Sequence, residues 1–188
     1  MNRVAIAKTL LNIYPNLNLI CDKIDAEVNS SAMLMAETAE AYLGTMLNFY
    51  NNVSNVIYRK SKLVNIKIYL EKALSSLQED CAGLLYLKYV DRFSTKQICD
   101  FTEQNTKQVE RKLMSALNML AVALTKVGLT NDVFSSVLKS ESWINNIYLF
   151  FAGTSGEKEK CSCNIKIVNG LISEATINKL TSKAFRCI

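Results

Sequence analysis

Residues 94 to 113 read STKQICDFTEQNTKQVERKL, a run dense in cationic and amide side chains. Lys107 and Arg111 each lie two positions from Val109. On a helix, at about 100° per residue, both point nearly opposite that apolar side chain and sit one turn apart. Gln108, Lys112 and Ser115 flank the line they make. Such groups at the front of a helix can hydrogen-bond base edges in a DNA major groove, where Arg pairs with guanine and Gln with adenine. The first turn, opening at Asn105 and Thr106, offers free backbone N–H groups to a phosphate, and the ammonium groups of Lys96 and Lys62 suit the same anion. Glu110 fits this chemistry only if it accepts from cytosine or pairs with a neighbouring cation. Otherwise it marks a helix face turned toward protein.

Two capping signals set the elements that must hold these groups. Ser94 followed by Gln97 can close a reciprocal capping box and predicts a helix from residue 95. Ile98 and Phe101 give that helix about two turns of buried face before Thr102-Glu103-Gln104 interrupts the pattern. Asn105 and Gln108 repeat the arrangement and open a second helix with a buried stripe of Val109, Leu113, Ala116, Leu117 and Leu120. Cys99 supplies a small side chain where the two helices cross. Leu84, Leu85, Tyr89 and Phe93 provide a preceding helix and corner. A short helix, a tight turn at 102 to 104 and a longer helix together read as a helix-turn-helix.

LLYLKYVDRFSTKQICDF resembles the region 4 unit of bacterial sigma factors, an apolar helix and acidic corner followed by Leu/Phe-Ser-x-Lys-Glu-Ile-Ala. NTKQVERKLMSALNML is similar to the recognition helix of that unit. The resemblance covers roughly residues 74 to 122. It implies that Thr106, Lys107, Gln108, Glu110, Arg111 and Lys112 occupy positions that approach double-stranded DNA. Arg92 and Glu103 stand where the family has glycine, and Gln78 where a proline is common. Left-handed backbone at a residue other than glycine costs on the order of 1 kcal/mol. No counterpart of the sigma region that binds melted promoter DNA is present in the first 70 residues. The architecture is closer to phage and mobile-element transcription regulators of the ArpU and RinA types.

Composition agrees with an all-α chain, because 188 residues hold one proline and six glycines. Residues 59 to 126 carry twelve cations and seven anions, an excess equal to the net +5 of the whole chain; a basic centre of this kind suits a polyanion partner. Nothing points to an enzyme, a cofactor or a metal. The chain has no histidine, no glycine-rich phosphate loop and no Cys-x-x-Cys pair among its six cysteines. Cys161-Ser162-Cys163 has no base beside it. Cys81 and Cys99 fall at helix positions that read as buried, which suits free thiols in a cytoplasmic protein. The first residues lack the features of a secretory signal, and the apolar run from Trp143 to Phe151 is too short to span a membrane.

The flanks also read as helical. Residues 3 to 13 form an amphipathic pattern, Pro15 marks a kink or fresh start, and Asn29-Ser30-Ser31 suggests a new cap. Met35, Ala39, Tyr42, Met46, Phe49, Val53 and Val56 alternate steps of four and three. That stripe fits the core of a bundle or the seam of a homodimer, and Leu43, Leu47 and Tyr50 widen it in favour of the bundle. Arg59-Lys60-Ser61-Lys62 reads as a break. Gly128 and Thr130 predict a stop and a new cap, with helices at about 131–139 and 141–151. A linker from 153 to 160, a short strand at 161–168 and a last helix from 171 to 185 complete the pattern. The organisation is thus a helical N-terminal bundle (1–73), a helix-turn-helix unit (74–127), C-terminal helices (128–152) and a tail (153–188). The functional expectation is a sequence-specific transcription regulator. Its alternative is an interaction module that binds RNA polymerase or another regulator without reading bases.

Overall fold

The computed structural model describes residues 1–37 and 43–153. Every regular element among them is helical, so the chain is all-α. Two long helices, α1 (Arg3–Glu37) and α2 (Leu43–Ser75), pack against each other. They are followed by α3 (Glu79–Leu85), which runs into one π-helical turn (Tyr86–Val90), then α4 (Thr95–Thr102) and α5 (Thr106–Lys126). α6 (Asn131–Ser140) and α7 (Ser142–Gly153) close the described chain.

The main core is built from α1, α2, the rear half of α5, α6 and α7. Leu10, Leu11, Leu17, Leu63, Ile66, Leu70, Leu120, Phe134 and Ile144 are all buried within it. A polar network ties α2 to the junction of α6 and α7. Arg59 donates from Nε and Nη2 to the two carboxylate oxygens of Glu141, at 2.8 and 3.0 Å, and Trp143 Nε1 donates to Glu141 Oε2 at 3.0 Å. Glu141 is buried, and these three bonds satisfy a carboxylate that would otherwise be costly there.

Three breaks expected from sequence are absent. Pro15 lies inside α1, which passes through it and through Asn29–Ser31 without interruption. A proline removes the N–H that would meet the carbonyl four residues earlier. Packing of the flanking turns, with Leu11, Ile13 and Leu17 all buried, holds the helix together across that gap. α2 continues through Arg59–Lys62 because the charges there have partners: Glu141 for Arg59, and Asp25 on α1 for Lys60 at 2.6 Å. The three-four stripe is internal where it is described. Phe49 and Val56 are buried, whereas Leu47 and Tyr50 face solvent. Its members before Phe49 lie outside the described side chains, and the strand at 161–168 and the helix at 171–185 lie outside the described residues.

Downstream the expectations hold. Gly128 adopts φ 102 after α5, and Thr130 caps α6 by accepting from the Val133 N–H at 3.3 Å. Among the described residues no single helix is long and apolar enough to cross a membrane.

Candidate nucleic-acid interface

α3, α4 and the front half of α5 share a small core of their own. Leu84, Ile98, Val109 and Leu113 are buried there, with Leu87, Phe93 and Cys99 packed around them. Leu85 belongs instead to the main core. The capping boxes form as the sequence predicts. Ser94 Oγ accepts from the Gln97 N–H at 3.2 Å while Gln97 Oε1 accepts from the Ser94 N–H at 2.8 Å. Asn105 Oδ1 accepts from the Gln108 N–H at 2.9 Å, and Gln108 Oε1 from the Asn105 N–H at 3.2 Å. Glu103 closes α4 in left-handed backbone, φ 54 and ψ 32, and turns the chain into α5. Cys81 and Cys99 are half-buried rather than buried; Cys99 sits at the open edge of the crossing, its thiol 3.8 Å from Thr106 Oγ1.

Arg92 is the second residue at positive φ, 61, and its position has a long-range cause. Its guanidinium donates to Asn12 Oδ1 at 2.7 Å and to the Asn12 carbonyl at 2.9 Å. Asn12 is 3% exposed on α1, three residues before Pro15. The corner residue thereby fastens the three-helix unit to the proline turn of α1. Burial lowers the Arg92 pKa from its ordinary value, which still leaves the group cationic. Lys88, in the π-helical turn, is also buried and donates to Thr95 Oγ1 at 3.1 Å, which fixes the first residue of α4. Neither role is visible locally in the sequence. Arg92 stands out there only as a replacement for glycine, and Asn12 is 80 residues away.

Every residue expected to meet DNA, namely Lys96, Asn105, Thr106, Lys107, Gln108, Glu110, Arg111, Lys112 and Ser115, is exposed. All but Lys96 lie on the front half of α5 or its cap. Lys96 is on the first turn of α4. Among the described residues Lys96, Lys107, Arg111 and Lys112 make no ion pair, so their charge is available to an outside anion. Glu110 has no cationic partner there either, which removes one of the roles open to it. Lys62 is placed differently: its ammonium lies 4.5 Å from the centre of the Tyr58 ring and 3.4 Å from the Ser136 carbonyl.

Two side chains limit or alter the chemistry open to this face. Gln108 commits its carbonyl oxygen to the cap, so a bidentate amide pair with adenine requires that the capping box open. Its NH₂ remains free to donate to a single acceptor. Phe101, expected to be buried on α4, is 70% exposed. It lies about 60° around the helix from Ile98, on the side away from Cys99, at the margin of the face that packs on the small core.

Comparison of the chain with protein-family models, with curated proteins and with solved structures finds no match in any of the three.

Proposed function

We propose that α4 and α5 act as a helix-turn-helix that binds double-stranded DNA sequence-specifically, and that the protein is a transcription regulator of phage or mobile-element type. The observation that carries the reading is the front half of α5. Its cationic side chains, Lys107, Arg111 and Lys112, stand exposed without ion pairs among the described residues, on a helix whose start is fixed by a capping box and whose rear is buried. An unneutralised cationic helix end attracts polyanions, and a rigid mount lets individual side chains discriminate between bases. Arg111 is the residue assigned to base reading, with Lys107, Lys112 and Lys96 set toward phosphate.

Selection of bound sequences from random duplex DNA, followed by salt titration on the selected site, tests this. A defined consensus is expected, with affinity that falls steeply as salt rises because each neutralised phosphate releases counterion. Arg111→Ala should cost about 1–3 kcal/mol on the selected site and relax preference at one base position. Failure to enrich any sequence, with weak and salt-insensitive binding, would overturn the reading.

Glu110, unpaired among the described residues, and the exposed Phe101 favour a second reading, in which the same unit docks on RNA polymerase or another regulator. That reading replaces the first if Arg111→Ala leaves specific DNA binding unchanged while association with the polymerase is lost.

A further inference from the structure

α2 carries two apolar seams rather than one. The internal seam runs through Phe49, Val56, Leu63 and Leu70 at intervals of seven, with Ile66 and Ala73 beside it, and all of them are buried. The second seam begins at Leu47 and proceeds by alternating steps of three and four through Tyr50, Ser54, Ile57, Ser61, Val64 and Ile68. On a helix that spacing makes one continuous stripe, about 160° around from the internal one. Among the described residues it is uncovered: Leu47 is 63% exposed, Tyr50 62%, Ile57 53%, Val64 36% and Ile68 40%. Tyr58, 61% exposed, lies along its edge. A monomer gains nothing from apolar residues at heptad spacing on a solvent face, since such residues weaken solubility without adding to the core.

We infer that this second seam of α2 is a homodimer interface, which pairs with the same seam of a second copy of the chain. Heptad spacing is what two helices need to interlock along their length, and a two-fold pair presents one such stripe to another. The charges argue for a like partner. Lys60 and Lys67, which border one side of the stripe, are held within the chain, Lys60 by Asp25 at 2.6 Å and Lys67 by Asn18 at 2.8 Å with Glu71 at 3.7 Å. Asn51, Tyr58 and Asn65 border the other side and are uncharged. Lys62, at the outer margin, is turned back toward Tyr58 and α6. An acidic or basic partner finds no free charge on the stripe itself, while a second neutral stripe meets no repulsion.

The area suffices. With ~150–250 Å² for a whole large side chain, the exposed fractions of the five seam residues and Tyr58 amount to about 600 Å² per copy, hence roughly 1,200 Å² for the pair, the lower bound of stable specific interfaces. Ser54 and Ser61 let the helix axes approach closely between the larger residues. The homodimer seam expected from sequence ran through Phe49 and Val56, which the bundle uses internally; the face inferred here is the opposite one, and the inference does not depend on DNA binding.

Sedimentation equilibrium of the full chain, from low to high micromolar concentration, decides it. The parent protein should sediment as a dimer. Ile57→Glu, which places two buried charges at the centre of the pair, should weaken association about 100-fold or more and leave helix content unchanged, because Ile57 contributes little to the core. Tyr50→Lys serves as the second variant should Ile57→Glu fail to fold. Val122→Glu, at an exposed site on α5, should leave the dimer intact. A parent protein that stays monomeric throughout the range, or a dimer that survives both seam variants, overturns the inference.

Discussion

Glu103→Gly and Arg92→Gly make the same backbone change at two sites of left-handed conformation, φ 54 and φ 61, yet stability should move in opposite directions. At Glu103 the side chain is exposed and unpaired among the described residues. Glycine there relieves about 1 kcal/mol of steric cost and returns part of it through the greater freedom of the unfolded chain. The net expectation is a gain of about 0.5 kcal/mol. At Arg92 the same relief is set against two hydrogen bonds from a cation to Asn12, at 2.7 and 2.9 Å. Such bonds contribute about 1.5 kcal/mol each at the low end that suits a half-buried group, and a buried Asn12 without its donor adds about 1 kcal/mol more. Arg92→Gly should therefore cost about 3 kcal/mol. Urea unfolding followed by circular dichroism separates the two. With a slope of about 2 kcal/mol per molar urea, the midpoint rises by roughly 0.3 M for Glu103→Gly and falls by roughly 1.5 M for Arg92→Gly. Arg92→Lys, which keeps the charge but loses the fork, should fall between parent and Arg92→Gly. An Arg92→Gly protein as stable as the parent would refute the claim that this side chain holds the unit to α1. A loss of stability in Glu103→Gly would refute the left-handed turn.

Glu141→Gln removes the negative charge that faces the Arg59 guanidinium while it keeps an oxygen for Trp143; a cost of about 2 kcal/mol, discounted because Arg59 is partly exposed, should lower the melting temperature by roughly 4–8 °C. Burial, and then the hydrogen bond its hydroxyl donates to Glu71 at 3.0 Å, raise the Tyr14 pKa above the ordinary 10.0. Because the folded value is the higher one, the stability Tyr14 contributes is complete below pH 10.0 and is lost as pH rises beyond it. Alkaline titration followed by phenolate absorbance should show a step above the ordinary tyrosine range, and that late step should be missing in Tyr14→Phe.

What the sequence disclosed was local. The two capping boxes need only residues three apart, so Ser94 with Gln97 and Asn105 with Gln108 located both helix starts, and Val109 with Leu113 located the buried side of α5. The turn at Glu103 followed from the same spacing. What it concealed was decided at a distance. Pro15, Asn29–Ser31 and Arg59–Lys62 each carry a local signal to break a helix, and each is overruled by packing between α1 and α2 or by partners such as Asp25 and Glu141. Phe101 misled for a simpler reason: it lies on the side of Ile98 away from Cys99, where the small core does not extend. The role of Gln108 was half legible, since the capping box that identified it also withdraws the oxygen a base would need.

α5 belongs to two cores at once, and this makes it a lever. From Leu120, sunk in the bundle, to Thr106 at the tip is about 21 Å at 1.5 Å per residue. A tilt of about 5° in the buried half therefore carries the tip through roughly 2 Å, more than half the length of a hydrogen bond. The fulcrum is packed against α1 and α2, so a force applied to the long helices far from the tip is delivered there enlarged. Leu10 and Leu70, buried in the bundle, thus set the position of Arg111 as firmly as its immediate neighbours do.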